Sequence, residues 1–535
     1  MEQQSSKAAK QQSRWQTFEP IVVLCVVRTW TSAIKLFEIC RTFRDDLRIR
    51  FVFTVDNGSE FSSGVEELLS GTGVRRHSWD EIADLDYALT LTASESIDFA
   101  RLRGPVLVLP HGVGFHKYVP DSETDDDRLS GLVPETAVKS GQVRMIISHP
   151  AQEEQLRAAN PATAGTTALI GDPQFEQLLD SAGHREHYRR LLGVGDRRFV
   201  LLSSTWGQGS LIGTRPRLPA EILAAMPHDE TAVGLVLHPN IWSRYRPFQV
   251  HAWFAAAEEA GLLVFPPELG WQAALVAADL VVGDHGSVSL LAAAAGKPVL
   301  LAASGAEVVP GTSAELLCER ATRLRRDEPL RPQLEEAGSQ PWQELLAEGT
   351  FAHTQGSLGR LHALVHETLG LPPLPAPKLR AADPEVRPSP VLAFVTYPDF
   401  TGTDAVTLHR FPRSVEQWRP ETDRAPGDLR HTVVDERETN LGRIGNATVL
   451  VQSTVDNDPE QWCQATLRRY PHCELAAAAA PDGCIAMAPN GETVTVTGTA
   501  DTAALASTLY ACRDTADRTV SLRLGSTVTT VVIRH

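Results

Sequence analysis

The chain has 535 residues, 42% of them hydrophobic, and a formal net charge of −16, from 50 Lys plus Arg against 66 Asp plus Glu. This length predicts roughly three or four domains with buried cores, which excludes disorder for most of the chain. The acidic balance is spread over the whole length and therefore argues against a general affinity for nucleic acid or for an anionic membrane.

The seven cysteines form no Cys-x-x-Cys pair, so the sequence predicts reduced, mostly buried thiols and no structural zinc site. Residues 1–18 are mostly polar and predict a flexible N-terminus. The apolar run from Ile21 to Val27 is too short for a signal peptide or a membrane span. We therefore expect a cytoplasmic protein without an integral membrane segment.

Short β-branched runs alternate with helical patterns from about residue 20 to residue 310, and strands this apolar are typical of parallel sheets covered by helices on both faces. This alternation predicts α/β architecture. Helices are expected from Thr31 to Asp46, in the segment ending at Leu69, and from His184 to Leu192. The predicted strands are Ile21 to Val27, Ile49 to Val55, Tyr87 to Thr92, Val106 to Leu109, Met145 to Ser148, Phe199 to Ser203, Val233 to Leu237, Leu262 to Val264, Leu280 to Val282 and Val299 to Ala302.

A break in this pattern near Gly171 divides the region into two Rossmann-like, doubly wound domains, residues 19–175 and 176–370, which we expect to face each other across a cleft. Residues 371–390 contain seven prolines and predict an extended linker.

Residues 391–535 predict a small accessory α+β domain whose role the sequence does not reveal. The alanine-rich runs from Ala292 to Ala295 and from Ala476 to Ala480 predict pieces of helix or loop. The expected elements of the accessory domain are strands at Val391 to Val395, Ala447 to Val451, Thr493 to Thr497 and Val520 to Ile533, and helices at Pro459 to Tyr470 and Thr502 to Cys512.

The segment from Ala278 to Leu300 predicts a strand, a tight turn Asp284-His285-Gly286-Ser287, a helix, and a Gly-Lys-Pro stop before the next strand. The first N–H groups of that helix could bind a phosphate, with the hydroxyls of Ser287 and Ser289 as further donors. The alternative is that Ser287 only caps the helix and Asp284 only shapes the turn.

Two further strands end in histidine. His111 follows the strand from Val106 on a glycine-rich turn and could act as a general base, while His238 precedes a proline and could donate a hydrogen bond to a phosphate. Each histidine taken alone is more often structural. Arg244 and Arg246 could neutralise phosphate and Arg28 could lie beside an acceptor, or all three could serve as surface, capping or ion-pairing groups.

The order Pro-His-Gly, Gly171-Asp172-Pro173, Ser203-Ser204-Thr205-Trp206, Leu237-His238-Pro239, Asp284-His285-Gly286-Ser287 and Gly296-Lys297-Pro298-Val299 resembles the CDP-glycerol glycerophosphotransferases of teichoic acid synthesis. That family is similar in turn to other GT-B glycosyltransferases and to non-hydrolysing UDP-N-acetylglucosamine 2-epimerases. The resemblance covers about residues 20–365 and none of residues 391–535.

The resemblance implies that His111 is the base toward the acceptor hydroxyl, that His238 contacts the donor phosphates and that Ser287 lies at the donor diphosphate. Pro110 replaces the family's Trp, and the turn at Asp284 only partly reproduces its Asp-Tyr-Ser-Ser motif. The candidate donor-binding set is His238, Asp284, Gly286, Ser287 and Ser289. No metal ligands are expected, because such enzymes bind the leaving diphosphate with a helix N-terminus and side chains.

The expected function is a GT-B-like transferase that moves a glycosyl or glycerol-phosphate-type group from a CDP- or UDP-type donor to a hydroxyl acceptor, without a tightly bound cofactor. A UDP-sugar 2-epimerase and a non-catalytic binding or scaffold protein on the same fold remain as alternatives. The sequence leaves peripheral membrane contact and a homo-oligomer open.

Overall fold

The computed structural model describes residues 19–58, 62, 64–120, 127–420, 429–455, 458–512 and 517–535, so the flexible N-terminus predicted for residues 1–18 lies outside the described residues. The described part contains two parallel sheets followed by a closed barrel. None of its helices has the length and apolar content that crossing a bilayer requires.

The first sheet has six parallel strands in the order β2-β1-β3-β4-β7-β8, and its apolar side chains meet helices on both faces. A separate hairpin, β5 with β6, follows β4 in the chain. The strands are β1 (Ile21–Val27), β2 (Ile49–Val55), β3 (Leu89–Thr92), β4 (Val106–Val108), β5 (Tyr118–Pro120), β6 (Asp127–Leu129), β7 (Val143–Ile147) and β8 (Thr167–Leu169). The helices are α1 (Trp30–Thr42), α2 (Val65–Thr72), α3 (Glu135–Lys139), α4 (Pro150–Ala159) and α5 (Pro173–Asp180).

The second sheet is also parallel and has the order β11-β10-β9-β12-β13-β14. From β9, the chain adds β10 and β11 on one side of the sheet and then β12, β13 and β14 on the other. The carboxyl ends of β9 and β12 are therefore the topological switch point, where open α/β sheets bind ligands. The strands are β9 (Arg198–Ser204), β10 (Thr231–Leu237), β11 (Leu263–Phe265), β12 (Leu280–Gly283), β13 (Val299–Leu301) and β14 (Thr322–Arg323). The helices are α6 (Arg185–Leu191), α7 (Leu211–Thr214), α8 (Leu218–Ala225), α9 (Pro239–Glu259), α10 (Trp271–Ala277), α11 (Ser287–Ala294), α12 (Ser313–Arg320), α13 (Leu330–Glu336), α14 (Trp342–Thr350) and α15 (Ser357–Thr368).

The structure confirms the two parallel sheets and the strands that the apolar runs predicted, with ends that differ by up to two residues. The prediction missed β8 and β14, which pair at the edges of the two sheets over three and two residues. Runs this short carry little periodicity, so their assignment depends on the neighbouring strand.

The strands between Ala393 and Arg534 form a closed nine-stranded barrel with helices. The predicted small α+β domain contained strands and helices at matching positions, but it had too few strands and did not include the closure into a barrel. The predicted strand from Val520 to Ile533 is two strands joined by a turn at Gly525. The barrel strands are β15 (Ala393–Phe400), β16 (Ala405–Pro412), β17 (His431–Asp435), β18 (Val449–Gln452), β19 (Leu475–Ala480), β20 (Gly483–Met487), β21 (Thr493–Thr497), β22 (Arg518–Leu524) and β23 (Thr527–Arg534), and the helices are α16 (Leu441–Gly445), α17 (Pro459–Arg469) and α18 (Thr502–Cys512).

Helix α18 fills the inside of the barrel. Its residues are buried on every face, and Leu505 and Leu509 join one core with inward side chains such as Val433 and Val496. Strand side chains alone are just able to fill an eight-stranded barrel, and here the helix contributes to filling a barrel of nine strands. The alanine-rich run from Ala476 to Ala480 is strand β19, not helix or loop.

Residues 371–390 have no regular secondary structure, as expected of a linker, but they are docked on the second parallel-sheet region. Ala381 is buried and binds the Tyr188 hydroxyl and the Ser181 hydroxyl. The barrel is joined to the same region by Arg410, which donates to Asp229 at 2.6–2.8 Å. Asp501, within the barrel region, accepts from the same guanidinium at 2.8 Å. The barrel and the second sheet are therefore held together by buried, charge-assisted hydrogen bonds.

Candidate functional site

The switch point of the second sheet is organised by Asp284, which follows β12. Its carboxylate accepts hydrogen bonds from the backbone N–H groups of Thr205 at 2.9 Å, Leu211 at 2.9 Å and Gly286 at 3.0 Å. The side chain is fully buried. Asp284 thus fixes the loops after β9 and β12 relative to each other. The sequence predicted that Asp284 contacts a ligand directly, but its carboxylate is buried and bonded to backbone N–H groups in this structure.

Helix α11 begins after Gly286 and points its first turn toward the loop that follows β4. The Ser287 hydroxyl accepts a hydrogen bond from the Val113 N–H at 3.2 Å, and a Cβ added at Gly112 would lie 2.5 Å from the same oxygen. Glycine is therefore required at position 112 because the Ser287 hydroxyl approaches the backbone closely, and not because of the backbone angles. The two segments that the sequence picked out separately, around His111 and around Ser287, meet across the two sheets.

Ser289 occupies a different environment from the one predicted. Its hydroxyl is buried, has no hydrogen-bond partner among the described residues and faces Gly283, where an added Cβ would lie 2.1 Å from it. The prediction that Ser289 contacts the donor directly is not supported in this structure, because the position of Ser289 in the first turn of α11 places its hydroxyl against the end of β12.

His238 caps helix α9 at the carboxyl end of β10. Its Nδ1 accepts a hydrogen bond from the Asn240 N–H at 3.1 Å, which assigns the ring hydrogen to Nε2. Burial lowers the pKa of His238 well below its ordinary value, and the charges of Lys117 and His111 lower it further. The ring is therefore neutral near pH 7 and has one N–H to donate, which suits a hydrogen bond to a phosphate oxygen.

His111 is exposed on the loop after β4, at the carboxyl edge of the first sheet. The charge of His111 acts on the carboxyl group of Glu95, which follows β3. Burial acts to raise the Glu95 pKa, but the charges of His111 and Arg128 outweigh it, so the pKa is lowered. A histidine beside a carboxylate at the mouth of a cleft is suited to take a proton from a hydroxyl.

Lys117 is a site residue that the sequence did not predict. Its ammonium group crosses from the loop of the first sheet to the second and donates to the Thr205 hydroxyl at 3.1 Å. Burial lowers its pKa, while Asp284 and Glu307 act in the opposite direction. No motif marks Lys117, since only the path of the loop brings it to the switch point.

His285 was quoted in the turn motif but was not predicted as a site residue. It is fully buried, binds Glu307 through Nε2 at 2.6 Å and accepts the Gly305 N–H at 3.0 Å. Lys117 and Val308 form an antiparallel bridge beside this pair. His285 therefore anchors the loop that follows β13 under Lys117.

Two of the three arginines considered as phosphate or acceptor groups are engaged elsewhere. Arg28 pairs with Asp56 at 3.7 Å and donates to the Gly58 carbonyl at 2.7 Å, which is its predicted ion-pairing alternative. Arg246 pairs with Glu67 at 2.7 Å, and Arg244 is exposed. In the described residues, the half-buried cation at the switch point is Lys117.

No protein-family model matches the chain, and no curated protein matches it. Among solved structures, it is similar to the wall teichoic acid polymerase TagF, with 11% identity and a TM-score of 0.43 over 65% of this chain and 88% of that chain. It is also similar to Anabaena Alr3699/HepE in complex with UDP and glucose, with 14% identity and a TM-score of 0.36 over 65% of this chain and 99% of that chain. A glycosyltransferase from Rickettsia africae ESF-5 matches with 13% identity and a TM-score of 0.38 over 66% of this chain and 99% of that chain. Structural similarity this distant does not identify a function, which has to be inferred from the geometry of the site.

Proposed function

We propose that the chain is a GT-B-like transferase that moves a glycosyl or glycerol-phosphate-type group from a CDP- or UDP-type donor to a hydroxyl acceptor. The observation that carries the proposal is the meeting of Ser287 with the His111 loop at the switch point of the second sheet. Two parallel sheets contribute to one site there, one with a base and the other with anion-binding groups.

The donor diphosphate is assigned to the start of α11. Ser287 supplies a backbone N–H group and a hydroxyl there, and the Nε2–H of neutral His238 supplies a further donor. The N–H of Gly286 is held by Asp284, so Gly286 serves by letting the turn approach the phosphate closely. Lys117 supplies the positive charge that an acidic protein needs at this one place. Asp284 and Ser289 belong to the support of this site.

His111 is assigned as the base. It takes the proton of the acceptor hydroxyl while the acceptor oxygen bonds to the transferred group and the bond from that group to the donor phosphate breaks. The nucleotide leaves with the electron pair of that bond, and Lys117 and the α11 N-terminus stabilise the added negative charge.

A non-catalytic nucleotide-binding protein is the second candidate, and one observation favours it. The Ser287 hydroxyl already accepts the Val113 N–H, so a bound diphosphate has to share or displace that contact. A protein that only binds nucleotide needs no acceptor to enter between these two segments.

The test is calorimetric titration of the purified chain with CDP, UDP, CDP-glycerol and UDP-glucose. We expect binding that Ser287→Ala and His238→Ala weaken about fivefold or more and that Lys117→Met weakens about tenfold or more, because the lost contact to a phosphate is charge-assisted. Ser70→Ala and Lys139→Met, on α2 and α3 away from the site, serve as controls.

Absence of binding to all four compounds, or equal binding by the site variants, contradicts the proposal. Binding with donor breakdown that His111→Ala abolishes supports the transferase. Binding without any breakdown supports the second candidate, and epimerisation of a UDP-sugar without an acceptor supports a 2-epimerase.

A further inference from the structure

The loop that carries His111 lies over the start of α11. The Val113 N–H donates to the Ser287 hydroxyl at 3.2 Å, and the Gly112 backbone comes so close that a Cβ added there would lie 2.5 Å from the same oxygen. Ser287 is the residue whose hydroxyl the proposed function assigns to the donor diphosphate. The peptide between residues 112 and 113 therefore fills space that a donor phosphate needs.

The side chain of Val113 holds this loop on the second sheet region. It is 5% exposed and belongs to the apolar core that also contains Leu290 of α11 and Val299 of β13. Among the described residues, Val113 is the only member of that core that precedes α5 in the chain. An apolar side chain buried in the opposite region resists withdrawal, because withdrawal exposes its methyl groups to water.

The residues that follow in the loop are anchored independently of this contact. Phe115 has a φ of +60°, an uncommon conformation for a bulky side chain that persists only where the surroundings fix it. Its carbonyl accepts a hydrogen bond from the Gln155 side chain at 2.5 Å, and the His116 carbonyl accepts one from the Val309 N–H at 3.1 Å. The later part of the loop therefore keeps its anchors when the two residues over α11 withdraw.

We propose that Gly112 and Val113 form an autoinhibitory plug, which competes with the donor for the start of α11. The plug rests on the proposed function, because the site that it covers is the proposed donor site. Donor binds only to molecules from which the plug has withdrawn. The measured dissociation constant is therefore that of the open site divided by the fraction of molecules that are open.

Two substitutions weaken the plug and leave every group assigned to the donor in place. Gly112→Ala puts a Cβ against the Ser287 oxygen, and position 112 does not have the positive φ that would strain an alanine by itself. Val113→Ala keeps the backbone N–H and removes two methyl groups from the apolar core. We expect the loss of these methyl groups to raise the fraction of open molecules about tenfold.

Each substitution has a matched control. Gly183→Ala adds a Cβ at a position where no other atom lies near. Val143→Ala removes two methyl groups from a valine that is also 5% exposed, but at the start of β7 in the core of the first sheet. Neither control changes a contact of the plug.

Calorimetry with CDP and UDP compares the dissociation constants of the unmodified chain and the four variants. We expect both plug variants to bind about tenfold more tightly than the unmodified chain, because the competing closed state has lost stability. The two controls should bind like the unmodified chain. A merely structural role of Gly112 and Val113 predicts unchanged or weaker binding instead.

Hydrogen exchange of residues 111–114, measured by mass spectrometry without nucleotide, tests the plug separately from the donor site. We expect exchange there to be about tenfold faster in both plug variants and unchanged in the controls. Unchanged exchange in the plug variants overturns the proposal, and so does nucleotide binding that they do not tighten, which leaves the proposed function standing. Binding by the plug variants alone supports both. Absence of binding by every protein contradicts the proposed function, and the competition with donor falls with it.

Discussion

At the scale of single residues, the sequence identified the turn after β12 as a candidate site, but the role of each side chain there depends on the direction in which it points. The sequence placed Asp284, Ser287 and Ser289 in one phosphate-binding group. In the structure, Ser287 faces the loop of the other sheet, Asp284 accepts hydrogen bonds from backbone N–H groups, and Ser289 faces the core. One-residue spacing along a helix start rotates a side chain by about 100°, and only packing decides which position faces the site.

The burial of Asp284 gives a prediction about stability. Asp284→Ala leaves the N–H groups of Thr205, Leu211 and Gly286 without their acceptor, and we expect it to lower the free energy of unfolding by about 3 kcal/mol or more. Urea denaturation measures this loss. Asp180→Ala, an exposed change at the end of α5, should alter it by less than about 0.5 kcal/mol. Similar values for both variants would show that the carboxylate is not what holds these loops.

At the scale of elements, strand β19 shows where sequence patterns fail. Alanine has no preference for strands, so the run from Ala476 to Ala480 predicted helix or loop. The structure explains the composition, because β19 is packed between two helices. Ala476 and Ala478 face Cys463 of α17 outside the barrel, and Ala477 faces the core that holds α18. Small side chains are needed on both faces, and this need is a property of the barrel and not of the local sequence.

This packing predicts the effect of one enlarged side chain. Ala477→Leu adds volume between β19 and α18 where no exposed surface remains, and we expect a loss of about 1–3 kcal/mol in the free energy of unfolding. Thr495→Leu, at an exposed position of β21, adds a comparable side chain without that cost. Thermal denaturation of both variants makes the comparison. An unchanged midpoint for Ala477→Leu would mean that α18 does not fill the barrel.

At the scale of the whole molecule, the two facing sheets were predictable because strand and helix periodicity repeats over nearly 300 residues, whereas the contacts between sheets were not. Lys117 reaches Thr205 across 88 residues, and nothing in its local sequence indicates that distance. The barrel was missed for the same reason, since its closure pairs β16 with β22 over more than 100 residues. Such pairings depend on the complete set of strands.

The molecule also contains several histidines that stay neutral when folded, and this sets its response to acid. Burial lowers the pKa of His116 to about 3 and those of His228 and His362 to about 4, and it lowers that of His238 as well. In the unfolded chain these groups take up a proton near pH 6.5, so the unfolded state binds more protons as the pH falls. The opposite effect comes from Glu38 and Glu268, whose pKa values burial raises.

We therefore expect the free energy of unfolding to fall between pH 7 and pH 5.5, by about 1 kcal/mol for each of these four histidines at the lower pH. Carboxylates with lowered pKa values contribute only at more acidic pH, so in this window the four histidines outweigh the opposite effect of Glu38 and Glu268. Urea denaturation at several pH values measures the slope, and His228→Gln should remove one residue's share of it. A free energy of unfolding that stays constant between pH 7 and pH 5.5 would contradict the inference that these histidines are neutral in the folded protein.

The order in which the barrel strands occur along the chain has a consequence for synthesis. Helix α18 precedes β22 and β23, and these two strands close the barrel by pairing with β16 and β21. A chain growing from its N-terminus therefore holds an open sheet and an uncovered apolar helix until β23 has been made. Both parallel sheets can form earlier, since all their strands come before residue 324. During this interval the nascent protein exposes an apolar helix and unpaired strand edges, which are the features that make folding intermediates prone to aggregation.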